Sequence, residues 1–261
     1  MTRIASGAVL IAVVVGAVWW LPPAYLLGLA EIVLILAFLE YAALTDKLGV
    51  RIPRVASATA TGATCAAVGW GGVPVEGVLM TGTIAVAVVV LGSGRAGVDA
   101  LHDVAAATFA QLYLGLSLGA LVAVRVLEGK GAVLLLLATV VVSDTAQYYT
   151  GRLMGRRLLA PRVSPKKTVE GALGGLVAGS AALAWLGGLW MSHVAVHRRL
   201  VIGAVLVALG MAGDLFESLL KSGAGTKDSS HLIPGHGGVL DRIDALLFAA
   251  PVYYVILRFA A

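Results

Sequence analysis

Carboxylates, bases and glycines crowd the stretch from Gly213 to Asp244, in a chain that is otherwise mostly Ala, Val, Leu and Gly. GDLFESLLK, Gly213–Lys221, puts Asp214, Glu217, Ser218 and Lys221 at i, i+3, i+4 and i+7 on one helix face. Asp241 and Asp244 stand three apart at the start of the next apolar run, so both can point the same way. Asp214, Asp241 and Asp244 are hard oxygen donors, the type that holds Mg²⁺. Gly235, Gly237 and Gly238 permit positive φ and a close backbone approach to phosphate. Lys221, Lys227 and Arg242 add charge to neutralise phosphate oxygens. The chemistry these types can do together is the binding of a metal–polyphosphate, with a nucleotide as the expected tenant. The bland reading of the same residues is a solvated loop with helix-capping aspartates.

Two further polar groups lie upstream. In SDTAQYYTGR, Ser143–Arg152, Asp144 and Tyr148 share a helix face and Arg152 is one step further along it. An ionisable residue at membrane depth is costly and usually faces a cavity or partner, so Asp144 is a candidate functional residue. A purely structural Asp144–Arg152 contact is the alternative. In RVSPKKTVEG, Arg162–Gly171, Ser164 is an expected N-cap with Pro165 in the first helical turn. The free N–H groups would then lie beside Lys166 and Lys167 as an anion site. Basic residues flanking a membrane span give the same pattern without any site.

His231 and His236 have no cysteine partner and sit among oxygen donors, so a zinc reading is weak and His236 is read as a donor to phosphate. His193 and His197 are read as a wetted turn. Asp99, His102 and Asp103 are candidates for caps or for the rim of the site. Nothing in the sequence assigns a role to Glu31 or Glu40.

The elements that must carry these groups are apolar. The 261 residues are 59% hydrophobic and 13% charged, against the roughly 25% charged of a soluble domain. Runs nearly free of ionisable groups predict spans at 4–21, 24–44, 55–72, 77–92, 104–124, 131–149, 169–190, 199–221 and 240–259. The expected fold is all-α, a polytopic membrane protein of about nine transmembrane helices. The charge at Arg3 before the first run resembles a signal peptide, but no cleavage site followed by a soluble domain appears, so the run is kept as a span. The chain is read as one integral-membrane domain, 1–261, with a hydrophobic multispan half (1–142) and a half carrying the polar motifs (143–261). With the N-terminus cytoplasmic, the outer side holds Arg125, Lys130, Arg198, Arg199 and Arg258, and the other 14 of the 19 Lys and Arg lie inside. The polar motifs then face the cytoplasm.

Cys65, the one cysteine, excludes an internal disulfide and a Cys-based zinc site. No basic run interleaved with aromatics suggests nucleic acid. Gly171, Gly175 and Gly179 recur every fourth residue, a close-packing signal, and such glycine-rich faces leave room for a homodimer.

Ser218–Asp244 resembles the signature of the phosphatidate cytidylyltransferase (CDP-diacylglycerol synthase) family. That signature runs Ser-x-x-Lys-Arg, Lys-Asp, Pro-x-His-Gly-Gly and Asp-Arg-x-Asp. It falls here on Ser218 and Lys221, Lys227-Asp228, Pro234 with His236-Gly237-Gly238, and Asp241-Arg242 with Asp244. Ser222 departs from it, standing where the family usually has Arg. Asp144 with Gly151-Arg152, and Ser164-Pro165-Lys166-Lys167-Thr168 with Glu170-Gly171, look like further blocks of the family. The resemblance is carried by the half from Ser143 onward.

The resemblance implies a bacterial-type inner-membrane enzyme that turns CTP and phosphatidic acid into CDP-diacylglycerol and pyrophosphate with Mg²⁺. A second cation such as K⁺ fits the same implication. Asp214, Asp241 and Asp244 would hold metal. Asp144 and Lys221 would join them in catalysis. Arg152, Lys166, Lys167, Ser218, Lys227, His236, Gly237, Gly238 and Arg242 would bind substrate among membrane lipids. Two alternatives stand beside it. A CTP-dependent polyprenol or phytol kinase would need a general base, with Glu217 or Asp144 the candidates. An ion-coupled secondary transporter would show inverted repeats with broken helices, and none is seen.

Overall fold

The structure is a computed structural model that describes residues 2–230, 232 and 237–259. His231, Pro234, Gly235 and His236, all named above, lie outside the described residues. The chain forms two compact units, each drawn from two stretches: Met1–Val126 with Leu220–Ile243, and Leu127–Leu219 with Asp244–Ala261.

Nearly all of the described chain is helical. The elements in order are α1 (Thr2–Trp20), α2 (Pro23–Lys47), α3 (Arg54–Trp70), α4 (Val75–Gly92), α5 (Gly97–Ala110), a π-helical segment (Gln111–Leu116), α6 (Ser117–Met154), β1 (Leu158–Ala160), β2 (Ser164–Thr168), α7 (Val169–Trp190), α8 (Val196–Gly223) and α9 (Leu240–Phe259). Prolines set the starts of α2, α3 and α4: Pro22, Pro53 and Pro74 each precede the first helical turn, where a missing N–H costs nothing. Gly71, at φ +75°, stops α3.

Among the described residues, five helical stretches are long and apolar enough to cross a membrane: Pro23–Lys47, Val75–Gly92, Gly97–Met154, Val169–Trp190 and Val196–Gly223. Gly97–Met154 runs for 58 residues, but Gly129 breaks it with φ +79° and ψ −172°, leaving a span's length on either side. Large apolar side chains point outward, among them Trp185 at 81% and Leu91 at 79% exposure. In water that surface would be an aggregation liability, and in lipid it is the expected exterior. The protein is an all-α polytopic membrane protein, with the short β1–β2 hairpin as its one departure among the described residues.

In the first unit, α3 packs through small residues. A side chain on Gly115 would come within 2.5 Å of the Thr61 carbonyl oxygen, and one on Gly119 within 2.7 Å of that of Cys65. The buried hydroxyls of Thr61 and Thr64 donate back to the carbonyls of Ser57 and Ala60, at 2.7 and 2.9 Å, so these two hydroxyls are satisfied within their own helix. Asp103, whose side chain is 1% exposed, accepts from the Arg51 backbone N–H at 2.8 Å and pairs with Arg95 at 2.9 Å. That clasp makes Asp103 a structural residue, while Asp99 and His102 are exposed. The Cys65 thiol hydrogen-bonds the Glu31 carboxylate, and Gly62 leaves room for it.

In the second unit, the glycine stripe of α7 meets a polar stripe of α6. Gly171 lies against the Gln147 carbonyl, Gly175 against Gln147 and Ser143, and Gly179 against Ser143 and the Thr139 carbonyl. Both stripes advance by four residues, so the two helices stay in register over two turns. The packing signal read from Gly171, Gly175 and Gly179 is the contact itself.

One expectation is overturned here. Ser164 and Pro165 do not begin a helix. Residues 164–168 form β2, paired antiparallel with β1 in the register Leu158↔Thr168 and Ala160↔Ser164. The neighbouring strand satisfies the backbone that a helix would otherwise have to satisfy. The helix begins four residues later, where Thr168 is the N-cap and its Oγ1 accepts the Gly171 N–H at 3.1 Å.

Candidate active site

The second unit holds one cluster of the expected residues. A strand turns successive side chains to opposite faces, so Lys166 is exposed while Lys167 points in. The Lys167 ammonium pairs with the Asp214 carboxylate of α8. Asp144, on α6, is within electrostatic range of both. Gln147 donates to Asp144 Oδ1 at 3.1 Å and to Ser143 Oγ at 3.2 Å, which ties Asp144 to the stripe that packs on α7. Glu170, in the first turn of α7, accepts the backbone N–H groups of Arg156 and Arg157 at 3.0 and 3.2 Å. These bonds hold the β1 entry against the helix start.

Asp214 also stands beside a close crossing of α8 and α9. A side chain on Gly213 would collide with the Asp244 carbonyl and come within 3.3 Å of Phe248 Cβ. Asp214 and Asp244 therefore follow and flank the same contact. Ser218 is half-buried and Glu217 is buried at 1% exposure. Arg152 is exposed and donates to the Tyr148 hydroxyl at 3.2 Å, so in this structure its bond along α6 goes to Tyr148 and not to Asp144.

The first unit holds the loop that follows α8 and the start of α9. Lys221 pairs with Asp241 Oδ1 at 2.5 Å, with only 5% of the Asp241 side chain exposed. Asp241 Oδ2 takes the Ser229 N–H at 3.0 Å, the Ser229 hydroxyl at 2.8 Å and the Gly238 N–H at 2.8 Å. Its carboxylate is thus occupied with folding its own loop. Gly237 has φ +79°. The N–H of Gly238 goes to Asp241, and a side chain on Gly238 would collide with Ser229 Oγ and the Glu40 carboxylate. Lys227 and Arg242 are exposed.

Glu40 is one of two carboxylates to which the sequence assigns no role. It is 6% exposed on α2 and accepts four hydrogen bonds from the loop and from α9. They come from the Ser229 hydroxyl at 2.9 Å, the Ser230 hydroxyl at 2.6 Å, the Val239 N–H at 2.9 Å and the Leu240 N–H at 2.8 Å. The one available signal was a carboxylate in an apolar run, which is costly unless partnered. Its partners lie up to 200 positions away, out of reach of spacing arguments.

Hard-oxygen donors are the right type for Mg²⁺, but no group of three or more His, Cys, Asp or Glu among the described residues closes into a metal cage. Mg²⁺ often uses one or two protein carboxylates, completing its shell with water and substrate phosphate. Asp144 and Asp214 are two carboxylates of this unit that neighbour each other, with Lys167 beside them.

Residues 1–260 match the model of the cytidylyltransferase family. The chain belongs to that family. Among individual proteins it is similar to a protein of Escherichia coli named uncharacterized protein YnbB, 42% identical over 131 residues, covering 50% of this chain and 44% of that one. The phosphatidate cytidylyltransferase of Haemophilus influenzae is 45% identical over 116 residues, 42% of this chain and 40% of its own length. That of Bacillus subtilis is 36% identical over 152 residues, 58% of this chain and 56% of its own. The match thus spans about half the length of these curated relatives.

Proposed function

We propose that this family member is a phosphatidate cytidylyltransferase, joining CTP and phosphatidic acid into CDP-diacylglycerol with release of pyrophosphate. The observation that carries the reading is the pairing of motif lysines with motif aspartates, Lys167 with Asp214 and Lys221 with Asp241. Ammonium groups held in place by carboxylates are suited to receiving phosphate, and the relatives named for this reaction support the choice of substrates.

In the proposed reaction a phosphate oxygen of phosphatidate attacks the α-phosphorus of CTP. The bond from that phosphorus to the β-phosphate bridging oxygen breaks, and pyrophosphate leaves with the electron pair. The nucleophile is already an oxyanion, so the protein needs no strong general base. Its task is to bring two anions together and to stabilise charge in the transition state.

Lys167, with Lys166 and Arg152, is assigned to phosphate binding, and so are Lys221, Lys227 and Arg242. Ser218, His236, Gly237 and Gly238 are assigned to substrate. Asp214 and Asp244, with Asp144, are assigned to Mg²⁺, while Asp241 in the present arrangement holds its loop. A bound Mg²⁺ would neutralise phosphate charge and favour pyrophosphate as leaving group. A second cation such as K⁺ and a homodimer belong to the same proposal, as do an inner-membrane location and a site open to the cytoplasm. The positive-inside count supports that orientation.

The test is pyrophosphate release by purified protein in detergent with CTP and Mg²⁺, with and without phosphatidic acid. Lipid-dependent pyrophosphate is the expected result. CDP without pyrophosphate would mean γ-phosphate transfer to a lipid alcohol and would sink the reading.

A further inference from the structure

Glu40 is a buried carboxylate with a full set of donors. Each oxygen receives one backbone N–H and one serine hydroxyl: Val239 N–H and Ser230 on Oε1, Leu240 N–H and Ser229 on Oε2. The two backbone donors come from the start of α9, where the helix leaves its N–H groups without intrahelical partners and its dipole favours a negative charge. The two serines come from the other end of the same loop. One side chain of α2 therefore grips both ends of the loop that carries the Lys227 and Gly237–Gly238 motifs. Asp241 grips the same ends from within, through Ser229 and Gly238. The Ser229 hydroxyl stands at 2.9 Å from Glu40 and 2.8 Å from Asp241, and its single proton serves one of them at a time. Gly238 is required because any side chain there would strike this pair.

We infer that Glu40 is a positioning residue for the proposed cytidylyl transfer: it ties Ser229 and Ser230 to Val239 and Leu240, and so holds Lys221, Asp241 and Arg242 in the geometry the reaction uses. The inference rests on the function proposed above. Glu40 touches no substrate in this scheme and acts through the loop.

The discriminating variant is Glu40→Gln, which keeps shape and volume. Whichever way the amide turns, its NH₂ faces the Val239 or the Leu240 N–H, and a backbone donor cannot reorient to accept. Glu40→Asp keeps charge and both acceptors and should recover part of the effect. Hydrogen exchange is measured by mass spectrometry on the full-length protein in detergent, together with Tm, kcat and KM. In Glu40→Gln, exchange at residues 237–241 should rise about tenfold, with α3 and α4 unchanged. The kcat should fall about tenfold or more, equivalent to about 1.4 kcal/mol. Glu40→Asp should lie between. Should Glu40→Gln fail to fold, the Ser229→Ala, Ser230→Ala double variant removes two of the four donors while leaving the carboxylate, and the same local exchange and kcat changes are expected.

Unchanged exchange at 237–241 overturns the inference. So does a uniform rise in exchange with a matching loss of Tm, which would make Glu40 merely structural, and so does a local rise with kcat and KM intact. The exchange readout needs neither CTP nor phosphatidate. If wild-type protein releases no pyrophosphate, the proposed function fails on its own assay while the grip on the loop is still measured.

Discussion

Gly213 rests against the Asp244 carbonyl so closely that no side chain fits between them. The contact brings the end of α8 and the start of α9 together at the level of Asp214 and Asp244. Gly213→Ala should push these helices apart or strain them, costing about 1–3 kcal/mol as an overpacked site does. A fall in Tm of several degrees in detergent, with activity reduced alongside, is the expected outcome. An unchanged melting curve would show that the helices give way freely.

Asp244→Asn preserves volume and removes one charge from the set assigned to Mg²⁺. Turnover should fall by about 10²-fold or more, while Tm and elution from a sizing column stay at wild-type values. A folded variant with full pyrophosphate release would remove Asp244 from the machinery.

Lys167→Ala deletes the ammonium that pairs with Asp214 and that is assigned to phosphate. The KM for one anionic substrate should rise about tenfold, equivalent to about 1.4 kcal/mol of lost binding. Steady-state kinetics with CTP and phosphatidate varied in turn will show which substrate it serves. Unchanged constants for both would reject the assignment.

Thr168→Ala removes the N-cap of α7 without touching any charged group. The expected cost is about 1 kcal/mol. It should appear in denaturant or thermal stability, with KM values nearly unchanged. If instead one KM moves strongly and stability does not, Thr168 belongs with its neighbour Lys167 in substrate binding.

Much of the membrane architecture was legible from apolar runs, because a spanning helix must shed charge over about 20 residues. The α7 span at 169–190 coincides with the observed helix, and the Gly171–Gly175–Gly179 stripe correctly marked a helix contact. The β1–β2 hairpin was not legible. Ser164-Pro165 carries a good local helix-start signal, and what overrides it is a strand partner four to ten residues earlier, supplied by a segment with no strand pattern of its own. Among the candidate residues, the spacing of Asp214, Lys221, Asp241 and Asp244 picked out acidic and basic groups but not their partners. Lys167 with Asp214, and Glu40 with Ser229, Ser230, Val239 and Leu240, are tertiary pairings between residues 47 to 200 positions apart. Periodicity describes one helix face at a time and is blind to such pairs.

The π-helical segment Gln111–Leu116 bears on how this chain tolerates length changes. A π turn accommodates one residue more than an α turn. Removing one residue from that segment would restore regular pitch and leave the stretch after it nearly in phase, because the wide turn has already absorbed the extra residue. Gly119 would stay against the Cys65 carbonyl, and Val122 at the gap at Gly69, where its Cβ now lies 3.1 Å from the position a glycine Cβ would take. The same deletion from a regular α turn would swing everything beyond it by about 100° and unzip the α3 interface. Random in-frame deletion scanning should therefore find this short window more permissive than the apolar stretches on either side.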